Sequence, residues 1–190
     1  IRNEISDYVS SLNLNINISY LLGSICDESF IKNTFNSQKI DIVFHAAAYK
    51  HVPLLEFNPF AAIQNNFLST YNFIKLIQKF NIEYFCLISS DKAVRPTNIM
   101  GATKRLAELG AINLSKNKLK KTKINCVRFG NVINSSGSVL PLFNNQIKNN
   151  LPITLTDKRM IRYFMTIEEA ANLVLSVYRI SKGGEIFLLD

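Results

Sequence analysis

Tyr84-Phe85-Cys86-Leu87-Ile88-Ser89-Ser90-Asp91-Lys92-Ala93-Val94-Arg95-Pro96-Thr97-Asn98-Ile99-Met100-Gly101-Ala102-Thr103-Lys104 is the stretch on which the fold turns. Its apolar start, residues 84–88, has no polar alternation, as expected for a strand buried on both faces. Two hydroxyls, an acid and an amine follow at once in Ser89, Ser90, Asp91 and Lys92. Pro96 keeps the preceding residues out of helical geometry and Asn98 can cap, so a helix is predicted over 98–115. Met100 and Lys104, spaced i, i+4, share one face of that helix. The plain explanation of the polar edge is a turn in which Asp91 caps a backbone amide and Lys92 is solvated. The plain explanation of the helix pair is a core methionine and a surface lysine.

The same rhythm extends outward. Strands are predicted over 18–22, 41–45 and 124–128, and helices over 27–37 and 59–80, the latter with Asn58 as cap and Pro59 at its first position. This βαβαβ order implies a parallel, doubly wound sheet. Right-handed crossovers would align the strands' carboxyl ends on one edge, where ligands bind. After Gly130 the pattern changes. Residues 131–137 read as a polar loop, 139–148 as a helix broken by Pro141, and 153–155 and 163–165 as short extended pieces. An amphipathic helix over 167–180 and a strand over 186–189 follow. Residues 1–130 therefore read as the sheet domain and 131–190 as a smaller substrate-holding part.

With 190 residues, 47% of them hydrophobic, the chain can build one cored domain. No apolar run approaches the length needed to cross a bilayer. The start, Ile1-Arg2-Asn3-Glu4, lacks both a signal-peptide core and an initiator methionine, so a fragment or excised domain is expected. Cys26, Cys86 and Cys126 are far apart and each falls in or beside an apolar stretch, as reduced core residues would. The formal charge of +8 is concentrated in Lys116, Lys118, Lys120, Lys121 and Lys123. That run has no interleaved aromatics and reads as a solvated connector, which argues against nucleic-acid binding. A basic surface favours an anionic ligand. The seven glycines (23, 101, 110, 130, 137, 183 and 184) never form Gly-x-Gly-x-x-Gly. Either this is not a dinucleotide fold, or its first unit lies before Ile1.

Five motifs together are distinctive: His45-Ala46-Ala47-Ala48-Tyr49-Lys50-His51-Val52-Pro53-Leu54; Ser90-Asp91-Lys92-Ala93-Val94; Pro96-Thr97-Asn98-Ile99-Met100-Gly101-Ala102-Thr103-Lys104-Arg105; Arg128-Phe129-Gly130-Asn131-Val132; and Asp157-Lys158-Arg159-Met160-Ile161-Arg162-Tyr163-Phe164-Met165-Thr166. With them the chain resembles the CapD-like polysaccharide-biosynthesis family of extended short-chain dehydrogenases/reductases. That family includes UDP-N-acetylglucosamine 4,6-dehydratases and related nucleotide-sugar epimerases. The likeness runs from about Gly23 to the end and lacks the family's first βαβ unit. It implies an NAD(P)-binding Rossmann-like sheet, truncated at its N-terminus, with a small C-terminal substrate-binding region.

The resemblance also implies roles. Ala46 and Ala47 would let the cofactor, NAD or NADP, pass close to the backbone, and Asn66 would be a structural and cofactor-side asparagine. Ser90 would hold the sugar's reacting oxygen. Asp91 and Lys92 would be the acid and base of dehydration, with Asp91 protonated in an apolar cleft. Lys104 would bind the nicotinamide ribose. Asn131, Ser138 and Arg162 would grip the UDP moiety, and Tyr49, Lys50 and His51 would face the sugar. The implied partner is a UDP-sugar, in a homo-oligomer with no nucleic acid and no membrane contact from this segment. The implied location is cytoplasmic, on a membrane face if spans precede the chain.

Two positions depart from the pattern. Ser24 stands where an adenine-binding aspartate is common, and its hydroxyl can still bind the cofactor by accepting from the adenine amine. Met100 stands where smaller relatives carry the catalytic tyrosine, and the larger, membrane-anchored branch carries methionine there too. A 4,6-dehydratase is the expected activity, with an epimerase and a non-catalytic nucleotide-binding module as alternatives. Met100 and Ser24 would fit the module; intact Asp91, Lys92 and Lys104 argue against it.

Overall fold

The computed structural model describes residues 2–13, 15–117, 119–133, 139–155, 157–159 and 161–188. The central strand β2 (Tyr84–Ser90) lies between β1 (Ile42–His45) and β3 (Lys123–Phe129), and β6 (Ile186–Leu188) closes the far side of β3. All three pairings are parallel. The strands' carboxyl ends therefore share one edge, as the βαβ rhythm predicts.

Side-chain alternation on β2 and β3 divides the core in two. Phe85, Leu87, Ile124 and Cys126 face α2 (Glu28–Ser37), α5 (Ser69–Lys79) and α6 (Ile99–Ser115). Ile74 and Ile77 of α5 have no exposed surface there. Tyr84, Cys86 and Val127 face Val177 of α8 (Ile167–Ile180) on the other side. Both faces of the sheet are thus covered, which is why residues 84–88 carry no polar alternation. Helix α8 starts with a reciprocal capping box, Thr166 with Glu169. Residues 167–188 so belong to the main sheet, while β4 (Asn131–Val132) and β5 (Phe164–Met165) form a separate two-stranded ribbon.

Several elements differ from the sequence expectation. Residues 18–22 form no strand; an extended segment needs a ladder partner, and none occurs among the described residues. Helices α1 (Arg2–Ser11) and α3 (Val52–Phe57) form where none is predicted, the latter with Pro53 in its first turn. Asn58 does not cap through its side chain; its Nδ2 instead donates to Leu54 O at 2.8 Å. The helix predicted over 59–80 is α4 (Pro59–Ala62) and α5 joined by a π-helical stretch, Ile63–Leu68. Helix α7 (Val139–Lys148) is unbroken, because Pro141 falls in its first turn, where an amide donor has no helical partner. Residues 153–155 form no strand, and 131–132 do. Both buried cysteines, Cys86 and Cys126, are free thiols, as is the exposed Cys26. Among the described residues no helix is long and apolar enough to cross a membrane, and no group of side chains could hold a metal ion.

The Tyr84 hydroxyl is buried within the influence of the Ser181 and Asn125 side chains, but no well-formed hydrogen bond links the three. Deleting an unsatisfied hydroxyl from a filled site is close to neutral. Tyr84→Phe should therefore shift thermal stability by less than about 1 kcal/mol, whereas Ile74→Ala should lose about 2–5 kcal/mol in the same melt.

Candidate active site

Ser90 ends β2 and caps a 3₁₀ turn, Asp91–Ala93. Its Oγ accepts from the Lys92 amide at 3.2 Å and donates to Asp91 Oδ1 at 2.9 Å. Lys92 Nζ donates to the same Asp91 oxygen at 3.0 Å and to Asn131 Oδ1 at 3.2 Å. Asp91 and Lys92 thus form a half-buried ion pair that reaches from the end of β2 to the start of β4. Burial raises the Asp91 carboxyl, but the hydrogen bonds from Lys92 and Ser90 outweigh it and hold the group below the ordinary carboxylate range. This corrects the expectation of a protonated Asp91 in an apolar cleft: its neighbour is an ammonium, which favours the charged form.

Helix α6 is seated against this turn. Asn98 Oδ1 accepts from Gly101 N at 2.8 Å, and Glu56 Oε1 of α3 accepts from Ile99 N at 2.6 Å, so two acceptors satisfy the helix's first amides. A Cβ at Gly101 would stand 2.5 Å from Lys92 O, so this glycine permits the close approach of helix and turn. Met100 is 5% exposed and packs with Leu55, Ala62, Val52 and Ile99, which is the plain core role. Lys104 is not on the surface. It is 9% exposed, its Nζ donates to Ile88 O at 3.0 Å, and burial pushes it down to about 8 against the opposing pull of Glu108.

Asn66 lies in the π-helical stretch, 2% exposed, with both ends of its amide in use. Its Oδ1 accepts from Tyr49 N at 2.8 Å, and its Nδ2 donates to Tyr49 O at 3.0 Å and to Thr103 Oγ1 at 3.1 Å. It fastens the segment after β1 to α6. Beyond this clamp Tyr49, Lys50 and His51 line an open cavity of about 520 Å³ together with Leu54 and Leu55. Ala46 and Ala47 are exposed immediately after the buried His45. His45 meets Thr70 Oγ1 at 3.0 Å, and burial, aided by the charge of Lys104, pushes it down to about 4.

The predicted nucleotide-gripping residues are less gathered. Asn131 reaches Lys92, and its own amide donates to Tyr163 O at 2.8 Å, next to the exposed Arg162. Ser138 lies outside the described residues. Ser24 is exposed and its Oγ accepts from Cys26 N at 3.1 Å within a local turn.

Sequence reasoning missed Glu108, which has no exposed surface and accepts hydrogen bonds from Ser89, Arg105 and Arg128. The signal was present: a carboxylate four residues after Lys104 shares its helical face, and Arg128 ends an apolar strand.

A parallel sheet with helices on both faces, and an acid–amine pair at its carboxyl edge, defines a Rossmann-like α/β protein. The model of the family described as "Polysaccharide biosynthesis protein" matches residues 1–190, and the chain belongs to that family. Over 170 residues it is 47% identical to the capsular polysaccharide biosynthesis protein CapD of Staphylococcus aureus, covering 90% of this chain and 28% of that one. It is 41% identical over 150 residues to a UDP-glucose 4-epimerase of Rickettsia canadensis, 78% of this chain and 44% of that one. It is 34% identical over 192 residues to an inverting UDP-N-acetylglucosamine 4,6-dehydratase of Campylobacter jejuni, 98% of this chain and 56% of that one. The chain therefore spans about half, or less, of the curated relatives it matches. Among solved structures, Pen from Bacillus thuringiensis superposes with a TM-score of 0.87 at 40% identity, covering all of this chain and 57% of that one. The dTDP-glucose 4,6-dehydratase DesIV of Streptomyces venezuelae, solved with NAD, gives 0.82 at 15% identity over 96% of this chain and 61% of that one. At that identity DesIV speaks for the fold alone.

Two outcomes are expected. Gly101→Ala should lower stability by about 1–3 kcal/mol in thermal melts, because backbone blocks the new methyl group. The second concerns acid. Between pH 6.5 and about 4 the unfolded chain binds a proton at position 45 that the folded state refuses, so stability should fall as pH is lowered through that window. In urea titrations at several pH values, His45→Gln should flatten that decline.

Proposed function

We propose that this chain supplies the acid–base centre of a nucleotide-sugar 4,6-dehydratase acting on UDP-N-acetylglucosamine or a close relative. The Asp91–Lys92 pair, held at the sheet's carboxyl edge and tied to Asn131, carries the proposal. Family membership and the dehydratase among the relatives support it.

At rest the pair is a carboxylate and an ammonium joined by a 3.0 Å hydrogen bond. One proton shift along that bond makes the working pair, a neutral amine and a carboxylic acid. Substrate that displaces water favours the shift, because desolvation penalises the charged forms. Lys92 Nζ then removes the proton from carbon 5 of the 4-keto sugar. Asp91 gives its proton to the departing carbon 6 hydroxyl, which leaves as water. Elimination leaves Lys92 an ammonium and Asp91 a carboxylate; the ammonium gives a proton back to carbon 5 when carbon 6 is reduced, and the proton taken from the carbon 4 hydroxyl restores the pair. Each such transfer is worth on the order of 10²–10⁴ in rate. The Ser90 hydroxyl, beside Asp91, holds the sugar's reacting oxygen. Met100 cannot take the carbon 4 hydroxyl proton, since a thioether is only a weak acceptor. Buried Lys104, pushed down to about 8, is the amine assigned to that transfer, directly or through water held by Ser90.

The reaction requires a nicotinamide dinucleotide, NAD or NADP. The residues present fit its nicotinamide-ribose side: Ala46 and Ala47 are small and exposed where β1 ends, and Lys104 lies under the same edge with further donors on Nζ. The seven glycines provide no Gly-x-Gly-x-x-Gly cradle for its phosphates. Bound there, NAD or NADP would supply hydride acceptance at carbon 4 and hydride donation at carbon 6, with Lys92 placed to return the carbon 5 proton. UDP would be gripped by Asn131, Ser138 and Arg162, and the sugar faced by Tyr49, Lys50 and His51 in the cavity they line.

A second activity, epimerisation, is favoured by the UDP-glucose 4-epimerase relative and uses the same keto intermediate. Product mass separates the two, because only dehydration loses water. In the whole protein, Lys92→Ala should abolish solvent deuterium incorporation at carbon 5; full incorporation in that variant would refute the role of Lys92. The 190 residues assayed alone, without a phosphate cradle, should show no turnover.

A further inference from the structure

Strands β2 and β3 run in register up to Ser90 and Phe129, and then separate. Ser89 and Arg128 are the cross-strand pair just before the parting. Both side chains go to one carboxylate on a third element, Glu108 of α6. Ser89 Oγ donates to Oε1 at 2.6 Å. Arg128 forks onto both oxygens, Nε to Oε1 at 2.8 Å and Nη2 to Oε2 at 2.7 Å. Arg105 Nη1 adds a bond to Oε2 at 2.9 Å. Each oxygen of a side chain with no exposed surface thus accepts two charge-assisted or hydroxyl hydrogen bonds.

Such a cluster is a poor way to gain stability alone, because apolar side chains of similar volume often serve as well or better. What it does confer is fixed geometry. Ser89 is directly followed by Ser90, Asp91 and Lys92, and Arg128 precedes Asn131 by three residues. Among the described residues the separated chains meet again side chain to side chain, where Lys92 Nζ reaches Asn131 Oδ1 at 3.2 Å. Helix α6 also carries Gly101, whose backbone touches the Lys92 carbonyl, and Lys104, one turn before Glu108.

We propose that Glu108 is a positioning residue: it staples the ends of β2 and β3 to α6 and thereby holds the Lys92 amine between Asp91 and Asn131. The catalytic part of this proposal rests on the dehydratase assignment above; the geometric part does not. Loss of the staple lets the two strand ends move independently, and a misplacement of about 1 Å at a reacting group can lower turnover by about 10²-fold.

The test uses the whole protein with Glu108→Gln and, separately, Ser89→Ala, the milder change if the first does not fold. Two readouts are taken on variants shown to be folded by near-ultraviolet circular dichroism. One is the rate of reductive methylation of the Lys92 amine, followed by mass spectrometry, with the exposed Lys32 as internal reference. The other is kcat and KM with UDP-N-acetylglucosamine. Methylation of Lys92 should rise at least severalfold relative to Lys32, and kcat should fall about 10-fold or more with KM within about 2-fold. Lys92 methylation unchanged in a folded variant overturns the proposal, whatever turnover does. A rise in methylation in the variant, when the wild-type protein itself dehydrates no nucleotide sugar, would leave the positioning role standing and refute the dehydratase assignment instead.

Discussion

Two parallel strands that part at their carboxyl ends create the space in which this molecule's polar chemistry sits. After Ser90 and Phe129 the backbone ladder stops, and backbone hydrogen bonds can no longer fix the distance between the chains. Side chains take over. Glu108 gathers Ser89 and Arg128 just below the parting, and Lys92 bridges Asp91 to Asn131 just above it. The apolar faces on either side of the sheet hold the strands; these polar contacts hold the opening.

Helix α6 is the element that couples the parts. Its first turn is capped by Asn98 and Glu56 and lies against the Lys92 carbonyl where Gly101 has no side chain. Its Thr103 accepts from Asn66, which in turn holds the Tyr49 backbone, so the segment after β1 is positioned from the same helix. Met100 fills the apolar cluster between α6 and the α3–α4 region. A methionine at this place therefore contributes packing to the site and no proton, and the buried amine nearest to it on that face is Lys104, one turn on.

Much of this was legible from residue order. The unalternated run before Ser89 marked a strand covered on both faces, and the strand–helix rhythm implied the parallel sheet and the shared edge. The adjacency of Ser90, Asp91 and Lys92 put an acid and an amine there. Other features were not legible because they depend on contacts far apart in sequence. Residues 18–22 look like a strand by composition, yet a strand exists only with a partner. The π-helical stretch that carries Asn66 has no local signature in a run that reads as continuous helix. Asp91 could be expected to be neutral from an apolar cleft, but its ionisation follows from an ammonium 3.0 Å away.

The sequence by itself determined the periodicities: which segments alternate, which are apolar throughout, where a helix can start, and which chemical groups stand at a strand's end. These are local properties, set by side-chain type and spacing. Only the tertiary structure decided which groups meet. Glu108 reads as an ordinary helix carboxylate until β2 and β3 bring Ser89 and Arg128 to it. Lys104 reads as a surface amine until the packing of α6 on the sheet removes it from water. Protonation state and position are fixed by what surrounds a group, and those surroundings come from residues tens of positions away.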